Sequence, residues 1–262
     1  ISAMLDLARR SRYSLEGFTY RFFCDSSKLR RLRGSQKNKT VLIVGNGPSL
    51  NETPLKDFSG VFSIGMNKID LIFDKTSWRP DVILSTNRHV IAQQSVQYSK
   101  SIIPIFIPWQ QRWFLNPRGS LVNYFNQRGH RKFSVDFEEG VGLGHTVTSI
   151  ALQFAYYLQA SKIILVGVDH SFASVGKKNE LVVSGGPDVN HFSRDYFGAG
   201  TKWNLPDLDG SESDYLKAKA AFESVGAEVL DATIGGQLKI FPKISIERAK
   251  QIIEEERADD ET

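Results

Sequence analysis

Short apolar runs bounded by turn residues recur along the chain from residue 40 onward. They are Thr40–Val44, Val61–Gly65, Asp81–Ser85, Ile102–Ile107 and Lys162–Val168. Continuous apolar runs of this length are typical of strands that are buried on both faces, as in a parallel sheet. Helical patterns separate several of the runs, and strand-then-helix units favour parallel strands joined by crossovers. The sequence therefore predicts an α/β fold with a Rossmann-like, mostly parallel sheet flanked by helices.

The second half of the chain contains the clearest helical pattern. Residues Thr146–Gln159 place apolar side chains at helical spacing, and Thr146 or Thr148 is suited to cap the N-terminus of that helix. The pattern also predicts a helix over Glu212–Val225, an edge strand over Glu228–Asp231 and a final helix over Ile246–Arg257. We expect the tail that follows, Ala258–Thr262, to be disordered.

Three parts of different character follow one another along the chain. Residues 1–39 form a basic amphipathic helical segment, residues 40–245 a single Rossmann-like catalytic domain, and residues 246–262 a C-terminal helix with an acidic tail. Within the domain, residues 108–144 are irregular and aromatic, and we expect a helix and a loop there. Residues 173–210 show little periodicity. Because structureless loops of more than about 15 residues are uncommon unless functional, we expect a substrate or lid loop in this region.

Charge is unevenly distributed along the 262 residues. The formal net charge is +4, with basic residues concentrated near the N-terminus and acidic residues at the C-terminus. No compact tract of lysine and arginine alternates with aromatic residues in the body of the chain, so we expect no nucleic-acid partner. The basic and aromatic residues 1–33 are compatible with two placements. A helix there lies on an anionic membrane surface, or it packs its aromatic side on the body of the protein.

Several classes of site are excluded by residue usage. The single cysteine, Cys24, allows neither an intramolecular disulfide nor a cysteine-based zinc site, and it fits a reducing compartment. The five histidines show no i,i+4 pairing on a helix and no HExxH motif, and no G-x-S-x-G motif occurs. We therefore expect no zinc centre and no serine hydrolase. No stretch reaches the length of about 18 apolar residues that a membrane span needs.

The first predicted strand ends abruptly in a glycine-rich turn, Gly45-Asn46-Gly47-Pro48-Ser49. Because ligands of α/β sheets bind beyond the carboxyl ends of such strands, the turn is a candidate nucleotide edge. Gly45 and Gly47 allow positive φ and bring bare backbone close to a ligand. Asn46 and Ser49 add polar side chains at the same edge. The turn lacks the Gly-Lys-Ser/Thr of a P-loop and the third glycine of the dinucleotide fingerprint, and an ordinary strand-to-loop turn is the alternative.

Polar side chains also follow the other predicted strands. Asn46, Asn67 and Asn87 fall at the carboxyl ends of the first three, where a short amide suits recognition of a base or a sugar. Asparagine is also a common turn residue, which gives a second interpretation. Asp169 and His170 follow the central strand, where an acid and a histidine are costly unless they are used or paired. We expect all five side chains to share one rim of the sheet.

Two other groups are candidates for binding and catalysis. The helix that begins near Thr146 and Thr148 favours an anion at its N-terminus, because free N–H groups and the helix dipole point there. His191 lies in the long loop, which the predicted topology places over the rim of the sheet. A neutral imidazole in that position can accept a proton from an attacking hydroxyl.

A group of carboxylates lies near the end of the long loop. Asp207, Asp209 and Glu212 offer oxygen ligands for Mg²⁺ beside a nucleotide diphosphate. The same residues also fit a plain turn that is followed by a helix with Ser211 and Glu212 at its capped N-terminus. The spacing favours the turn with its helix cap.

Taken together, these motifs resemble those of a known group of enzymes. The turn at residues 45–50 is similar to the opening motif of the bacterial sialyltransferases that use CMP-sialic acid. Residues 146–169 resemble the helix and strand of those enzymes that end in Gly-x-Asp. The triplet at residues 190–192 resembles their Ser-His-Tyr segment, in which the histidine is the general base. Asn67 matches the asparagine that follows their second strand.

The same strand motifs occur in a related, broader family described as 6-hydroxymethylpterin diphosphokinase MptE-like. That family includes the motility accessory factors that glycosylate flagellin with sialic-acid-like sugars. The motifs VGVDHSF at residues 166–172, DVNHF at 188–192, YFG at 196–198 and KW at 202–203 look closer to this second family. The resemblance spans roughly Thr40–Pro242 and implies a sialyltransferase architecture of the GT-A-like type.

The resemblance implies an inverting glycosyltransferase with a histidine as general base. It would move an acidic sugar, a sialic-acid-like nonulosonate or Kdo, from a CMP-activated donor to a glycan hydroxyl. The implied catalytic residues are His191, Asp169 and His170. The implied nucleotide-binding residues are Gly45, Asn46, Gly47, Ser49, Asn67, Asn87, Thr146, Thr148 and Tyr196. The sialyltransferases hold the leaving phosphate with two tyrosines that have no counterpart here, and the candidates to replace them are Tyr196, Lys177, Lys178 and Arg194.

The resemblance also implies a setting for the reaction. The acceptor is a glycan or a lipid-linked glycan in the bacterial cytoplasm, and residues 1–33 contact the inner face of the cytoplasmic membrane peripherally. CMP leaves with one phosphate, so no cofactor is required, and Mg²⁺ is optional. One alternative is a Mg²⁺-dependent pyrophosphokinase that transfers diphosphate from ATP to a hydroxymethylpterin, with Asp169, Asp207 and Asp209 as metal ligands. Another is a non-catalytic nucleotide-binding module.

Overall fold

A seven-stranded parallel sheet forms the centre of the protein. The computed structural model describes residues 2–115, 121–130, 132–173 and 176–260, with side chains described from Tyr13 to Asp259 within these ranges. The strands are β1 (Thr40–Val44), β2 (Phe62–Met66), β3 (Val82–Leu84), β4 (Ile105–Pro108), β5 (Val122–Phe125), β6 (Gln127–Arg128), β7 (Val141–Gly142), β8 (Lys162–Val166), β9 (Leu181–Val183), β10 (Lys202–Asn204) and β11 (Glu228–Asp231). The helices are α1 (Ser2–Phe23), α2 (Ser27–Leu32), α3 (Arg88–Gln93), α4 (Ser95–Ser99), α5 (Val147–Tyr157), α6 (Leu208–Glu223) and α7 (Ile246–Asp260).

The order of the strands creates a topological switch point. The main sheet runs β11-β8-β1-β2-β3-β4-β5, and every neighbouring pair in it is parallel. The chain moves outward from β1 to β5 and then returns to β8 on the other side of β1. The direction of winding therefore reverses between β1 and β8. In open α/β sheets, ligands bind in the crevice beyond the carboxyl ends of the strands at such a point.

Helices cover both faces of the sheet. Alternate residues of β1 point to opposite faces, and all five residues of this strand are buried. Leu42 and Val44 belong to a core that includes Ile252 of α7, whereas Val41 and Ile43 belong to a core that includes α5 and α6. Burial on both faces explains why β1 and β8 appear in the sequence as uninterrupted apolar runs. The predicted Rossmann-like α/β fold is confirmed.

The region predicted as a long loop, residues 173–210, contains more regular structure than expected. Leu181–Val183 and Lys202–Asn204 form a short antiparallel hairpin, β9 with β10. α6 begins at Leu208, four residues before the predicted start, because Asp207 accepts a hydrogen bond from the N–H of Gly210 and caps the helix. Strands of three residues give too short an alternation to be recognised in the sequence. Residues 174–175 of this region lie outside the described residues.

Two other elements differ from prediction. β5 lies at the edge of the sheet, within the region where we expected a helix and a loop. Its four residues, which include the polar Asn123, are too short a pattern to identify. α7 continues to Asp260, so disorder predicted for Ala258–Asp260 is wrong, and the last two residues lie outside the described residues. The sequence there contains good helix formers and no glycine or proline stop signal.

The N-terminal segment packs on the body of the protein with one side of α1. Tyr20 is buried, and the indole N–H of Trp109 donates to Thr19 Oγ1 at 2.9 Å. Arg112 forms a salt bridge with Glu16 at 2.7 Å. The basic and amphipathic character predicted for the first 12 residues lies outside the described side chains. No helix in the described part of the chain is long and apolar enough to cross a membrane.

Candidate functional site

A cavity of about 590 Å³ lies at the carboxyl edge of the sheet, where the switch point between β1 and β8 predicts a ligand. Residues that follow β1, β2, β3 and β8 line it, together with the N-terminus of α5 and the segment that carries His191. The predicted site residues in its wall are Gly45, Asn46, Gly47, Asn67, Asn87, Thr146, Thr148, Asp169, His170, His191 and Tyr196. Ser49 is buried behind this wall. The strand-end residues therefore come together as the topology predicted.

The two glycines of the turn after β1 lie where a side chain would not fit. Gly47 has φ −70°, and Gly45 is also outside the left-handed region, so neither position uses the positive φ that glycine allows. A Cβ atom on Gly45 would overlap the carbonyl oxygen of Gly167, and one on Gly47 would overlap the carboxylate of Asp169. The two glycines are required because the turns after β1 and β8 pack against each other at the switch point.

The carboxylate of Asp169 holds these two turns together. Its Oδ1 accepts the backbone N–H of Ser49 at 3.1 Å, and its Oδ2 accepts the Ser49 hydroxyl at 2.7 Å. The N–H of Gly45 donates to the carbonyl oxygen of Val166, the last residue of β8, at 2.8 Å, and the N–H of Gly47 donates to that of Gly167 at 2.9 Å. These three N–H groups are therefore engaged within the protein. Asp169 and Ser49 therefore stabilise the conformation of the turn after β1.

The three asparagines stand on one rim, as predicted, but in different local roles. Asn46 Nδ2 donates to the carbonyl oxygen of Met66 at 2.9 Å, and its Oδ1 is buried without a hydrogen-bond partner among the described residues. Asn67 has φ 50°, and its Oδ1 accepts the Ser85 hydroxyl at 3.0 Å. Asn87 is the N-cap of α3, and its side chain accepts the backbone N–H of His89 at 2.8 Å. The helix cap explains Asn87 without a ligand, whereas Asn46 has an unused acceptor.

His191 forms a dyad with a buried carboxylate. Its Nδ1 lies 2.8 Å from Asp188 Oδ2, and the same carboxylate accepts the backbone N–H groups of Asn190 at 2.7 Å and Phe197 at 3.1 Å. Because the Asp188 carboxylate is a hydrogen-bond acceptor, Nδ1 carries the proton and Nε2 is the basic nitrogen. No other hydrogen bond to the imidazole occurs within the described residues. Burial acts to raise the pKa of Asp188, but the hydrogen bonds from His191 and the backbone hold that pKa below its usual value.

Aromatic rings and a buried lysine fix the position of this imidazole. The ring of Tyr196 stacks on His191 with a centroid distance of 3.9 Å and an interplanar angle of 3°. Lys68 Nζ donates to the carbonyl oxygen of Tyr196 at 2.6 Å and lies over the ring of Phe197 at 5.1 Å. Burial lowers the pKa of Lys68 and raises that of the Tyr196 hydroxyl. The backbone N–H of Phe192 donates to the carbonyl oxygen of Asn46 at 3.0 Å, which ties the His191 segment to the turn after β1.

The phosphate-binding candidates from the sequence are not brought together. Tyr196 is almost completely buried under His191, and none of Lys177, Lys178 and Arg194 lines the cavity. Lys178 instead forms an ion pair with Asp209 on the surface. The N-terminus of α5 does face the cavity, where the Thr146 hydroxyl caps the helix by accepting the N–H of Thr148 at 3.3 Å.

Two other histidines in the cavity wall are paired with acids. His170 Nε2 lies 3.0 Å from Glu212 Oε1, and His170 itself adopts φ 55°. His145 Nδ1 lies 3.0 Å from Asp214 Oδ2, which also accepts the His145 backbone N–H at 2.7 Å. His145 was not predicted as a site residue, although it stands immediately before the predicted N-cap of α5. Its position next to a predicted anion site is the sequence feature that could have identified it.

Arg88 is a further cavity residue that the sequence analysis missed. It is the first residue of α3, directly after Asn87, and this exposed residue is one of those that line the cavity. Its Cζ lies 5.7 Å from the centre of the Phe114 ring. A cation at the carboxyl edge of the sheet suits an anionic group on the ligand. Its position just after the third predicted strand is the sequence feature that could have identified Arg88 as a cavity residue.

The carboxylates proposed for Mg²⁺ do not converge. Asp169 accepts a hydrogen bond from Ser49, Asp207 caps α6, and Asp209 is largely exposed and forms an ion pair with Lys178. Among the described residues, no group of three or more histidine, cysteine, aspartate or glutamate side chains is arranged to hold a metal ion. The interpretation as a turn with an acidic helix cap fits these contacts, with Asp207 as the cap instead of the predicted Ser211 and Glu212.

Comparison with known proteins identifies the family. A family model described as 6-hydroxymethylpterin diphosphokinase MptE-like matches residues 20–175, which is more than half of the chain. This span contains β1 to β5, α5 and β8, and thus both turns at the switch point. No curated protein matches the chain. The chain belongs to the 6-hydroxymethylpterin diphosphokinase MptE-like family, and the resemblance to that family seen in its strand-end motifs is confirmed.

Proposed function

We propose that the protein is an inverting glycosyltransferase that moves an acidic sugar from a CMP-activated donor to a hydroxyl group of a glycan. Membership of the family is consistent with a transferase-type role. The observation that supports the proposal most is the dyad of His191 and Asp188 in the wall of a cavity at the switch point of the sheet. A cavity of about 590 Å³ falls in the usual range of small-molecule sites, about 300–1,000 Å³.

In this reaction, His191 acts as the general base. Nε2 takes the proton from the acceptor hydroxyl while the hydroxyl oxygen attacks the anomeric carbon of the donor sugar. The bond from that carbon to the phosphate oxygen breaks on the opposite side, and CMP leaves with the electron pair. Asp188 keeps Nε2 unprotonated before the step and stabilises the imidazolium that forms, because it accepts a hydrogen bond from Nδ1. A positioned base of this kind contributes about 10²–10⁴-fold to the rate.

The donor is negatively charged, and the cavity offers complementary groups. The N-terminus of α5, capped by Thr146, stabilises negative charge that grows on the leaving phosphate. Arg88 is placed to bind the carboxylate of an acidic sugar. Asn46 Oδ1 accepts a hydrogen bond from the ribose or the base, which satisfies an acceptor that has no donor within the described residues.

The pyrophosphokinase reaction would require carboxylates that hold Mg²⁺ beside the transferred phosphates. The candidates Asp169, Asp207 and Asp209 are each committed to a different contact. The dyad of His191 and Asp188, in contrast, has the arrangement that a general base needs. The contacts therefore favour the glycosyltransferase over the kinase.

The test measures release of CMP from CMP-sialic acid and CMP-Kdo with glycan acceptors, in the presence of Mg²⁺ or of EDTA. We expect turnover in both conditions and a loss of at least about 10²-fold in the His191→Ala variant. Thermal shift with CMP checks that the variant still binds nucleotide. His89→Ala is the matched control, since His89 lies on α3 and does not line the cavity.

Three results would overturn the proposal. Stabilisation by ATP with Mg²⁺, and not by CMP, would favour the kinase. CMP binding without turnover of either donor would indicate a binding module. Turnover close to wild type in His191→Ala would remove the assigned base.

A further inference from the structure

An apolar stripe runs along the outer side of α1. Leu15, Phe18 and Phe22 recur at helical spacing, and 65%, 59% and 68% of their respective surfaces are exposed. The rings of Phe18 and Phe22 lie 4.6 Å apart, and Phe23 at the end of the helix is also exposed. We call these four residues the α1 stripe. Contiguous exposed apolar side chains of this size are unusual on a free surface and mark a contact with a partner or a membrane.

The stripe does not result from a loosely attached helix. The opposite side of α1 is held by the buried Tyr20, by the salt bridge of Glu16 with Arg112 and by the hydrogen bond from Trp109 to Thr19. A helix repeats every 3.6 residues, so positions 13, 16 and 20 lie on the side opposite to positions 15, 18 and 22. The packed side therefore fixes which residues point outward.

The segment that carries the stripe is basic. The first 33 residues contain eight arginines and lysines and three acidic residues. Of those acids, Glu16 is neutralised by Arg112 on the inner side of the helix. Arg21, Lys28 and Arg31 are exposed on α1 and α2. An apolar face bordered by cations matches a surface that combines hydrocarbon with negative charge.

We propose that the α1 stripe binds the surface of an anionic lipid bilayer. Phenylalanine and leucine side chains enter the boundary between headgroups and acyl chains, and Arg21, Lys28 and Arg31 pair with anionic headgroups. Trp113, which is 77% exposed beside Arg112 and therefore next to α1, is suited to the same interfacial layer.

The same helix connects this surface with the cavity. Tyr13, on the inner side of α1, belongs to the cavity wall and packs against Gly129. A bilayer bound at the stripe is thus separated from that wall by about one helix diameter, roughly 10 Å. This places the acceptor of the proposed function at the membrane, as a glycan with a lipid carrier, and this last step depends on that function.

The binding is tested by sedimentation with phosphatidylcholine vesicles prepared with and without phosphatidylglycerol. We expect the wild-type protein to bind only the anionic vesicles, and less at high salt. Phe18→Ser/Phe22→Ser should weaken binding at least about tenfold, since it removes two rings that would be buried in the bilayer. Arg21→Gln/Lys28→Gln/Arg31→Gln should weaken it about 100-fold, at about 1 kcal/mol per cation. Leu181→Ser/Val183→Ser removes exposed apolar side chains of β9 and is the matched control.

Thermal shift with CMP is measured on every variant. Unchanged stabilisation by CMP separates a failure of membrane binding from a failure of the proposed reaction, because the stripe does not line the cavity. The proposal would be refuted if the wild-type protein and the Phe18→Ser/Phe22→Ser variant bound equally well to vesicles with phosphatidylglycerol and to vesicles without it. A dimeric wild type that becomes monomeric in this variant would also refute it, since the stripe would then be an interface between two copies of the chain.

Discussion

Replacing Asp188 by asparagine tests the dyad with almost no change in shape. In the wild type, Asp188 Oδ2 accepts the N–H of Phe197 at 3.1 Å and contacts His191 Nδ1 at 2.8 Å, while Oδ1 accepts the N–H of Asn190 at 2.7 Å. Asparagine has one acceptor oxygen and one NH₂ group. In either orientation, its NH₂ group must face at least one of these donors. We therefore expect Asp188→Asn to be less stable by about 1–3 kcal/mol, the cost of an unsatisfied buried group.

The effect on turnover is expected to be larger than the effect on stability. If the NH₂ group faces His191, Nδ1 becomes the acceptor and the proton moves to Nε2. Nε2 is then protonated and cannot take a proton from the acceptor hydroxyl. If the oxygen faces His191, the tautomer is kept but the negative charge that stabilises the imidazolium is lost. Loss of a general base costs about 10²–10⁴-fold, which corresponds to about 2.7–5.5 kcal/mol in the activation barrier.

The pH dependence of stability provides a second readout. The pKa of Asp188 is lower in the folded protein than its usual value, so the carboxylate contributes stability that is fully present above the unfolded pKa of about 3.9. This contribution is lost as the pH falls through the lower, folded pKa. Asparagine does not titrate. The difference in free energy of unfolding between wild type and variant should therefore shrink at the acidic end of that window.

The assay compares kcat and KM for CMP release with the urea unfolding of the same preparations. Asp195→Asn is the control, because Asp195 is exposed on the same segment. We expect kcat to fall at least about 10²-fold in Asp188→Asn while CMP still raises the melting temperature. A kcat close to wild type would show that the contact of Asp188 with His191 is not part of the reaction.

Three further substitutions probe other parts of the site. Gly47→Ala should lower the free energy of unfolding by about 1–3 kcal/mol, since the new methyl group overlaps Asp169, and urea titration measures this loss. Lys68→Met should lower kcat by up to about 10²-fold without loss of CMP binding, because the carbonyl oxygen of Tyr196 loses its donor and the platform under the imidazole shifts. Kinetics and thermal shift on one preparation separate the two effects. Arg88→Ala should weaken binding of an acidic CMP-sugar about tenfold or more while the affinity for CMP itself is kept, which calorimetry with both ligands checks.

The fold was predictable because its central strands are buried on both faces. Thr40–Val44 and Lys162–Val166 are continuous apolar runs, and a parallel sheet is the usual reason for such runs. The position of the site followed from the same pattern, since the polar residues after each strand must meet at one edge. The hairpin β9–β10 and strand β5 were missed, because three or four residues do not establish a period.

The roles of individual site residues were harder to predict than their location. The sequence shows Gly47 and Asp169 in two separate turns, but not that these turns touch, so the close packing that requires glycine there could not be predicted. Asp188 stands three residues before His191 in a segment without periodicity, where spacing carries no information about contact. Tyr196 was one of four candidates to hold a phosphate, and the structure stacks its ring on the imidazole of His191.

The switch point explains why one short motif appears both structural and functional. At the gap between β1 and β8 the two turns must interlock, and Gly45, Gly47 and Asp169 make that possible. The same interlocking places the carbonyl oxygen of Asn46 where it accepts the N–H of Phe192, next to His191. The segment of the proposed base is thus attached to the motif through its backbone. A substitution that opens the turn should therefore displace His191 as well.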